Sequence, residues 1–143
     1  MATRLIETKS DIGALAHFLG SRKLPVTVTI ESGKLRSYEQ NRLQRLWVLE
    51  AEAQGDQTAE EYRGYCKLHF GVPILRSEND KFREAYDKHI RHLDYKTKLA
   101  MMMVPLDFPV TRLMTTKQKT RYLDVVYQHF TGLGMRLTEP SNG

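Results

Sequence analysis

The sequence predicts an α+β fold, a mainly helical single domain over residues 1–143 with a small β-sheet. Three observations lead there. Ser, Thr and Asp residues suited to helix starts recur along the chain, each followed by apolar residues at three- and four-residue spacing. Val26-Thr27-Val28-Thr29-Ile30 alternates β-branched apolar residues with Thr, the pattern of a half-buried strand. The chain has 143 residues, 41% hydrophobic and 27% charged, which suits one ordinary domain able to fold without metals or disulfides.

Taken in order, Ser10 and Asp11 introduce Ile12, Leu15, Phe18 and Leu19, a short helix that stops near Gly20. Pro25 opens the Val/Thr strand, and Ser32-Gly33 marks a turn. Ser37 and Gln40 have the S-x-x-Q spacing of a capping box, starting a helix that runs to Gln54 with Leu43, Leu46 and Trp47 as its buried stripe. Tyr38, Asn41, Arg42 and Arg45 share a different face of it. Thr58 and Glu61 form a second box, leading into Tyr62, Tyr65, Cys66 and His69. Gly71 and Pro73 are expected to break that helix and leave Val72 to Leu75 extended.

Ser77 to Asp80 begins the next helix, whose Glu84–Lys88 and Asp87–Arg91 spacings read as a solvated, self-neutralised face. Asp94 caps a shorter helix ending in Met101-Met102-Met103, a triplet that reads as core filler. Pro105 and Pro109 make the chain from Leu106 to Met114 irregular. Thr115 to Gln118 opens the last helix, running to Phe130, with Tyr122, Val125, Val126 and His129 on one face. Gly132 and Gly134 end it, Met135 to Thr138 adds an edge strand, and Glu139 to Gly143 is a frayed tail.

The net charge of +5 is unevenly spread. Residues 20–47 carry Arg22, Lys23, Lys34, Arg36, Arg42 and Arg45 against Glu31 and Glu39, a net of +4. Residues 48–62 carry Glu50, Glu52, Asp56, Glu60 and Glu61 and no base, a net of −5. Residues 111–137 carry Arg112, Lys117, Lys119, Arg121 and Arg136 against Asp124, again +4. If the two basic blocks meet in the fold, they make one patch suited to a polyanion.

Several chemistries are not supported. There is no phosphate-binding glycine loop, dinucleotide fingerprint or nucleophile elbow. Cys66, the single cysteine, excludes an internal disulfide and CxxC sites, and its setting between Tyr65 and Leu68 reads as core. His89 and His92 stand three residues apart beside Lys88 and Arg91, with no evident further ligands, so neither a metal nor a cofactor is expected. No apolar run approaches the roughly 18–20 residues of a membrane span and no signal-peptide core is evident, which predicts a soluble, cytoplasmic protein without membrane contact.

Arg36-Ser37-Tyr38-Glu39-Gln40-Asn41-Arg42 carries the most information. The capping pattern accounts for Ser37 and Gln40 but not for two arginines at the positive end of a helix, where cations oppose the dipole. A bridging phosphate removes that conflict, Arg makes bidentate phosphate contacts, and Tyr38 offers a ring to an unpaired base. A Val/Thr strand, a short turn and R-S-x-x-Q-N-R opening a helix also resembles the NinB family, the Orf-type recombination proteins of lambdoid phages and prophages. The matching residues are Val26 to Ile30, Arg36, Ser37, Gln40, Asn41 and Arg42, followed by helical apolar residues including Trp47, roughly thirty of the 143 residues.

The resemblance implies a non-enzymatic α+β homodimer in the bacterial cytoplasm. It binds single-stranded or branched DNA without sequence preference and helps load a recombinase or annealing protein onto DNA covered by single-strand binding protein. The nucleic-acid contacts expected are Lys34, Arg36, Tyr38, Gln40, Asn41, Arg42 and Arg45, with Lys117, Lys119 and Arg121 of the second block. Two other readings stay open: an adaptor whose basic face receives the acidic tail of a single-strand binding protein, and a metal-dependent nuclease using His89, His92 and nearby carboxylates.

Overall fold

The structure, a computed structural model, describes residue 4, residues 6–30 and residues 35–139, with 35–38 as backbone only. Backbone contacts divide the chain into two units, Met1–Tyr38 and Glu39–Gly143. In the first, α1 (Lys9–Gly20) starts one residue ahead of the Ser10-Asp11 pair. Thr8 is its cap: Asp11 N donates to Thr8 Oγ1 at 3.2 Å and Thr8 N donates to Asp11 Oδ2 at 3.1 Å. The guanidinium groups of Arg4 and Arg22 lie over the Phe18 ring at 4.5 and 4.6 Å.

The expected strand is not formed. Val26 to Ile30 has no regular structure, and Val28 and Ile30 are 50% and 85% exposed. Alternation fixes which side chains share a face, but a strand needs a neighbouring strand for its backbone hydrogen bonds. Among the described residues there is no strand at all, so the α+β expectation gives way to a mainly helical fold. The Ser32-Gly33 turn and the tail beyond Glu139 lie outside the described residues.

α2 (Leu35–Gln54) begins two residues before Ser37, so Ser37 lies inside the helix and is not its cap. Gln40 does not reach back to form a box. It is buried and donates from Nε2 to Thr120 Oγ1 at 2.6 Å. The buried stripe of α2 is Trp47, Val48 and Ala51, with Leu43 partly buried beside it.

α3 (Ala59–Cys66) starts as the sequence predicts. Glu61 N donates to Thr58 Oγ1 at 3.1 Å and Thr58 N donates to Glu61 Oε1 at 3.1 Å. The expected break at Gly71 and Pro73 does not occur. A π-helical turn (Lys67–Gly71) carries the chain straight into α4 (Val72–Glu78), with Val72 N reaching back five residues to Lys67 O. Pro73 falls in the first turn of α4, where a missing amide is tolerated. Gly71 serves close packing instead: a Cβ there would lie 2.6 Å from Val110 Cγ1.

α3, the π turn and α4 thus form one rod between two apolar clusters. One gathers Trp47, Ala51, Tyr62, Cys66, Tyr122 and Phe130, joining α2, α3 and α7 (Thr116–Gly132). The other gathers Val72, Leu75, Phe82, Tyr86, Met102 and Val110, joining the rod to α5 (Asp80–His89) and the chain after α6 (Tyr95–Met101). Met114 packs against both. Asp87 is held chiefly by Arg76 of α4, at 2.8 and 3.1 Å, while its expected partner Arg91 stands at 3.8 Å.

Met135 to Thr138 forms no edge strand either, yet its backbone is satisfied. Gln54 Nε2 donates to Arg136 O at 2.7 Å and Arg136 N donates to Gln54 Oε1 at 2.8 Å. Thr138 N donates to Glu50 Oε1 at 3.0 Å, and Trp47 Nε1 donates to Thr138 O at 2.7 Å. Side chains at positions 47, 50 and 54 share one face of α2 and stand in for a partner strand, with Leu137 buried between the tethered residues.

A second tether closes the loop after α6. Lys67, 2% exposed, donates from Nζ to Met102 O and Asp107 Oδ1, both at 2.7 Å. Arg63 joins Asp107 at 2.8 Å and Glu60 at 2.7 Å, and Val104 N donates to Glu60 Oε1 at 2.9 Å. Asp107 has φ of 45°, the left-handed region that Asp and Asn tolerate better than most residues. Lys67 and then Arg63 hold its carboxyl below the ordinary carboxylate range.

Candidate nucleic-acid interface

α2 and α7 run parallel, as their contact pairs show: Gln40 meets Thr120, Gln44 Nε2 meets the Tyr122 hydroxyl at 3.4 Å, and the Trp47 and Tyr127 rings lie 5.3 Å apart. The contact brings the part of the first basic block after Glu39 beside the start of the second. Asn41 Oδ1 accepts from Lys119 Nζ, so the Asn41–Arg42 end of the first block abuts the Lys117–Arg121 end of the second. α7 starts here with its capping box formed, Gln118 N to Thr115 Oγ1 at 3.1 Å and Thr115 N to Gln118 Oε1 at 3.0 Å. Its positive dipole end therefore lies within the basic patch.

Not every cation here is free. Arg42 is exposed and paired with Glu39 at 3.0 Å. Arg121 is paired with Glu78, which also accepts from Gln118 Nε2 at 2.9 Å, and these partners hold the Glu78 carboxyl below its ordinary range. Lys119 is half-buried, and burial lowers its proton affinity. Arg45 and Lys117 are exposed and have no ion-pair partner among the described residues. Gln40 lies inside the contact between the helices, where it positions the patch and does not line it; its Oε1 is buried without a hydrogen-bond partner among the described residues. Lys34 and the side chains of Arg36, Ser37 and Tyr38 lie outside the described residues.

The acidic stretch has local work, of which the sequence disclosed only the Glu61 cap. Glu50 holds Thr138, Glu52 Oε2 accepts from Ala59 N at 2.7 Å, Glu60 binds Arg63, and Glu61 caps α3. Cys66 is 1% exposed and desolvation pushes its thiol up to about 12, as befits a core thiol. His89 lines an apolar cavity of about 220 Å³ with Phe82, Tyr86 and Phe108. Among the described residues no three His, Cys, Asp or Glu side chains are placed to hold a metal ion. Nor is any helix among them long and apolar enough to cross a membrane.

No family model, curated protein or solved structure matches the chain.

A second group of chemistry-bearing residues was not singled out from the sequence. Tyr65 of α3 stacks near-parallel with His69 at 4.1 Å and with His129 of α7 at 5.4 Å between ring centroids. His69 Nε2 lies 2.9 Å from the Tyr95 hydroxyl of α6. Burial lowers the proton affinity of both histidines, and at His69 the charges of His129 and Lys98 add to it. Only the Tyr65–His69 spacing of four was a signal in the sequence; the partners from α6 and α7 are tertiary.

Proposed function

We propose that this protein binds single-stranded nucleic acid without sequence preference, through the basic patch where α2 meets α7. One observation carries the reading: Gln40–Thr120 and Asn41–Lys119 bring the Arg42–Arg45 segment beside Lys117, Lys119 and Arg121, some eighty residues away in the chain. Arg45 and Lys117 supply exposed cations outside any ion pair among the described residues, and Arg42, Lys119 and Arg121 add cations that can exchange an internal partner for phosphate. A polyanion suits this arrangement because releasing its counterions drives binding, whatever the base sequence. The R-S-x-x-Q-N-R resemblance extends the proposal to a homodimeric, non-catalytic recombination mediator that passes single-stranded DNA to a recombinase or annealing protein.

The test is fluorescence anisotropy of a labelled oligonucleotide at several salt concentrations. Wild type is expected to lose affinity steeply with salt. In the triple variant Arg42→Ala, Arg45→Ala, Lys117→Ala the slope of log K against log salt flattens by about 0.7 for each single-strand phosphate that is no longer neutralised. An unchanged slope removes the patch as the binding site.

A further inference from the structure

The Tyr65–His69–His129 group sits on the same side of α7 as part of the basic patch. Arg121 and His129 both face the α3–α4 rod, one touching Glu78 at the end of α4 and the other touching Tyr65 in α3. Eight helical steps separate them, about 12 Å along the axis. A few nucleotides of extended strand bridge that distance.

His69 is the exposed member of the group, and its orientation is fixed from two sides. Tyr65 lies parallel to it at 4.1 Å, and Tyr95 holds its Nε2 edge at 2.9 Å. Lys98, one turn along α6 from Tyr95, is close enough for its charge to act on the imidazole. A rigid exposed ring, already stacked on one neighbour and held at its edge by another, suits a flat heteroaromatic ring attached to a phosphate. We propose that His69, backed by Tyr65 and oriented by Tyr95, is a stacking platform for an unpaired nucleobase of a strand that runs from the basic patch along α7. This rests on the nucleic-acid reading above and adds base contact to phosphate contact.

Two labelled probes of equal length separate the two kinds of contact: oligothymidylate and the same deoxyribose-phosphate chain without bases. His69→Ala is expected to weaken oligothymidylate binding about 5- to 100-fold, with the salt slope unchanged and base-free binding at the wild-type level. His69→Phe, which keeps a flat ring, is expected to restore binding. The urea midpoints of both variants, read by the single Trp47, show whether they are folded. If wild type binds oligothymidylate in a salt-dependent way and a folded His69→Ala binds equally well, or weakens equally toward the base-free chain, the platform is overturned while the patch stands. If wild type binds neither probe, the nucleic-acid reading itself fails and the platform with it.

Discussion

Lys67 is where a single residue matters most. A buried ammonium group is costly unless it is paired and hydrogen-bonded, and Lys67 has Asp107 and the Met102 carbonyl. Asp107→Asn keeps a residue that tolerates positive φ but removes the counter-charge, and should cost about 1.5–3 kcal/mol in urea unfolding. Lys67→Met removes the buried charge and conserves volume, while Asp107 keeps Arg63, so its cost should stay under about 1.5 kcal/mol. A larger loss for Lys67→Met than for Asp107→Asn would contradict this account. His69 and His129 give a second residue-level expectation. Their folded-state proton affinities lie below the unfolded value near 6.5, so the unfolded chain takes up more protons as pH falls. Their share of stability is present above about pH 6.5 and is lost below it. The groups facing them are Tyr65, Phe70, Tyr95, Lys98 and Phe130. Denaturation midpoints at about pH 7.5, 6.5 and 5.5 should fall more steeply for wild type than for His129→Gln, and equal slopes would refute it.

Among the elements, the starts of α3 and α7 and the ends of α1 at Gly20 and α2 at Gln54 were readable, while the start of α2 and the continuity through Gly71 were not. The Thr58 and Thr115 boxes form as the sequence indicates because a cap is a local exchange of two hydrogen bonds over four residues. Ser37–Gln40 has the same local signature, yet Gln40 serves α7 instead, a partner eighty residues away that no local pattern encodes. Gly71 and Pro73 likewise resemble a break by local propensity, but the π turn absorbs them and the packing of Gly71 against Val110 rewards continuity. Gly71→Ala should therefore destabilise by about 1–3 kcal/mol through overpacking, although Ala is the better helix former. Thermal melts by circular dichroism check the sign, and a stabilised variant would mean that propensity governs the turn.

Across the whole molecule, the rod formed by α3 and α4 is shared by two apolar clusters, which predicts that they unfold together. Trp47 reports only on the first cluster. Leu75→Ala, fully buried in the second, should still lower the midpoint seen by Trp47 fluorescence, with a loss of about 2–5 kcal/mol. An unchanged Trp47 midpoint would show that the clusters are independent. By itself the sequence determined the helical character of most of the chain, two of its caps, the burial of Trp47 and Cys66, and the presence of two basic blocks. These depend on spacing and composition within a turn or two of helix. Only the tertiary structure decided that Val26 to Ile30 and Met135 to Thr138 are not strands, since a strand exists through its partner and here α2 side chains tether the second segment instead. It also decided that Arg42 and Arg45 lie beside the start of α7 and that Tyr65, His69, Tyr95 and His129 converge. Each of those depends on which helices pack together, and charge and periodicity within a single helix do not specify its neighbour.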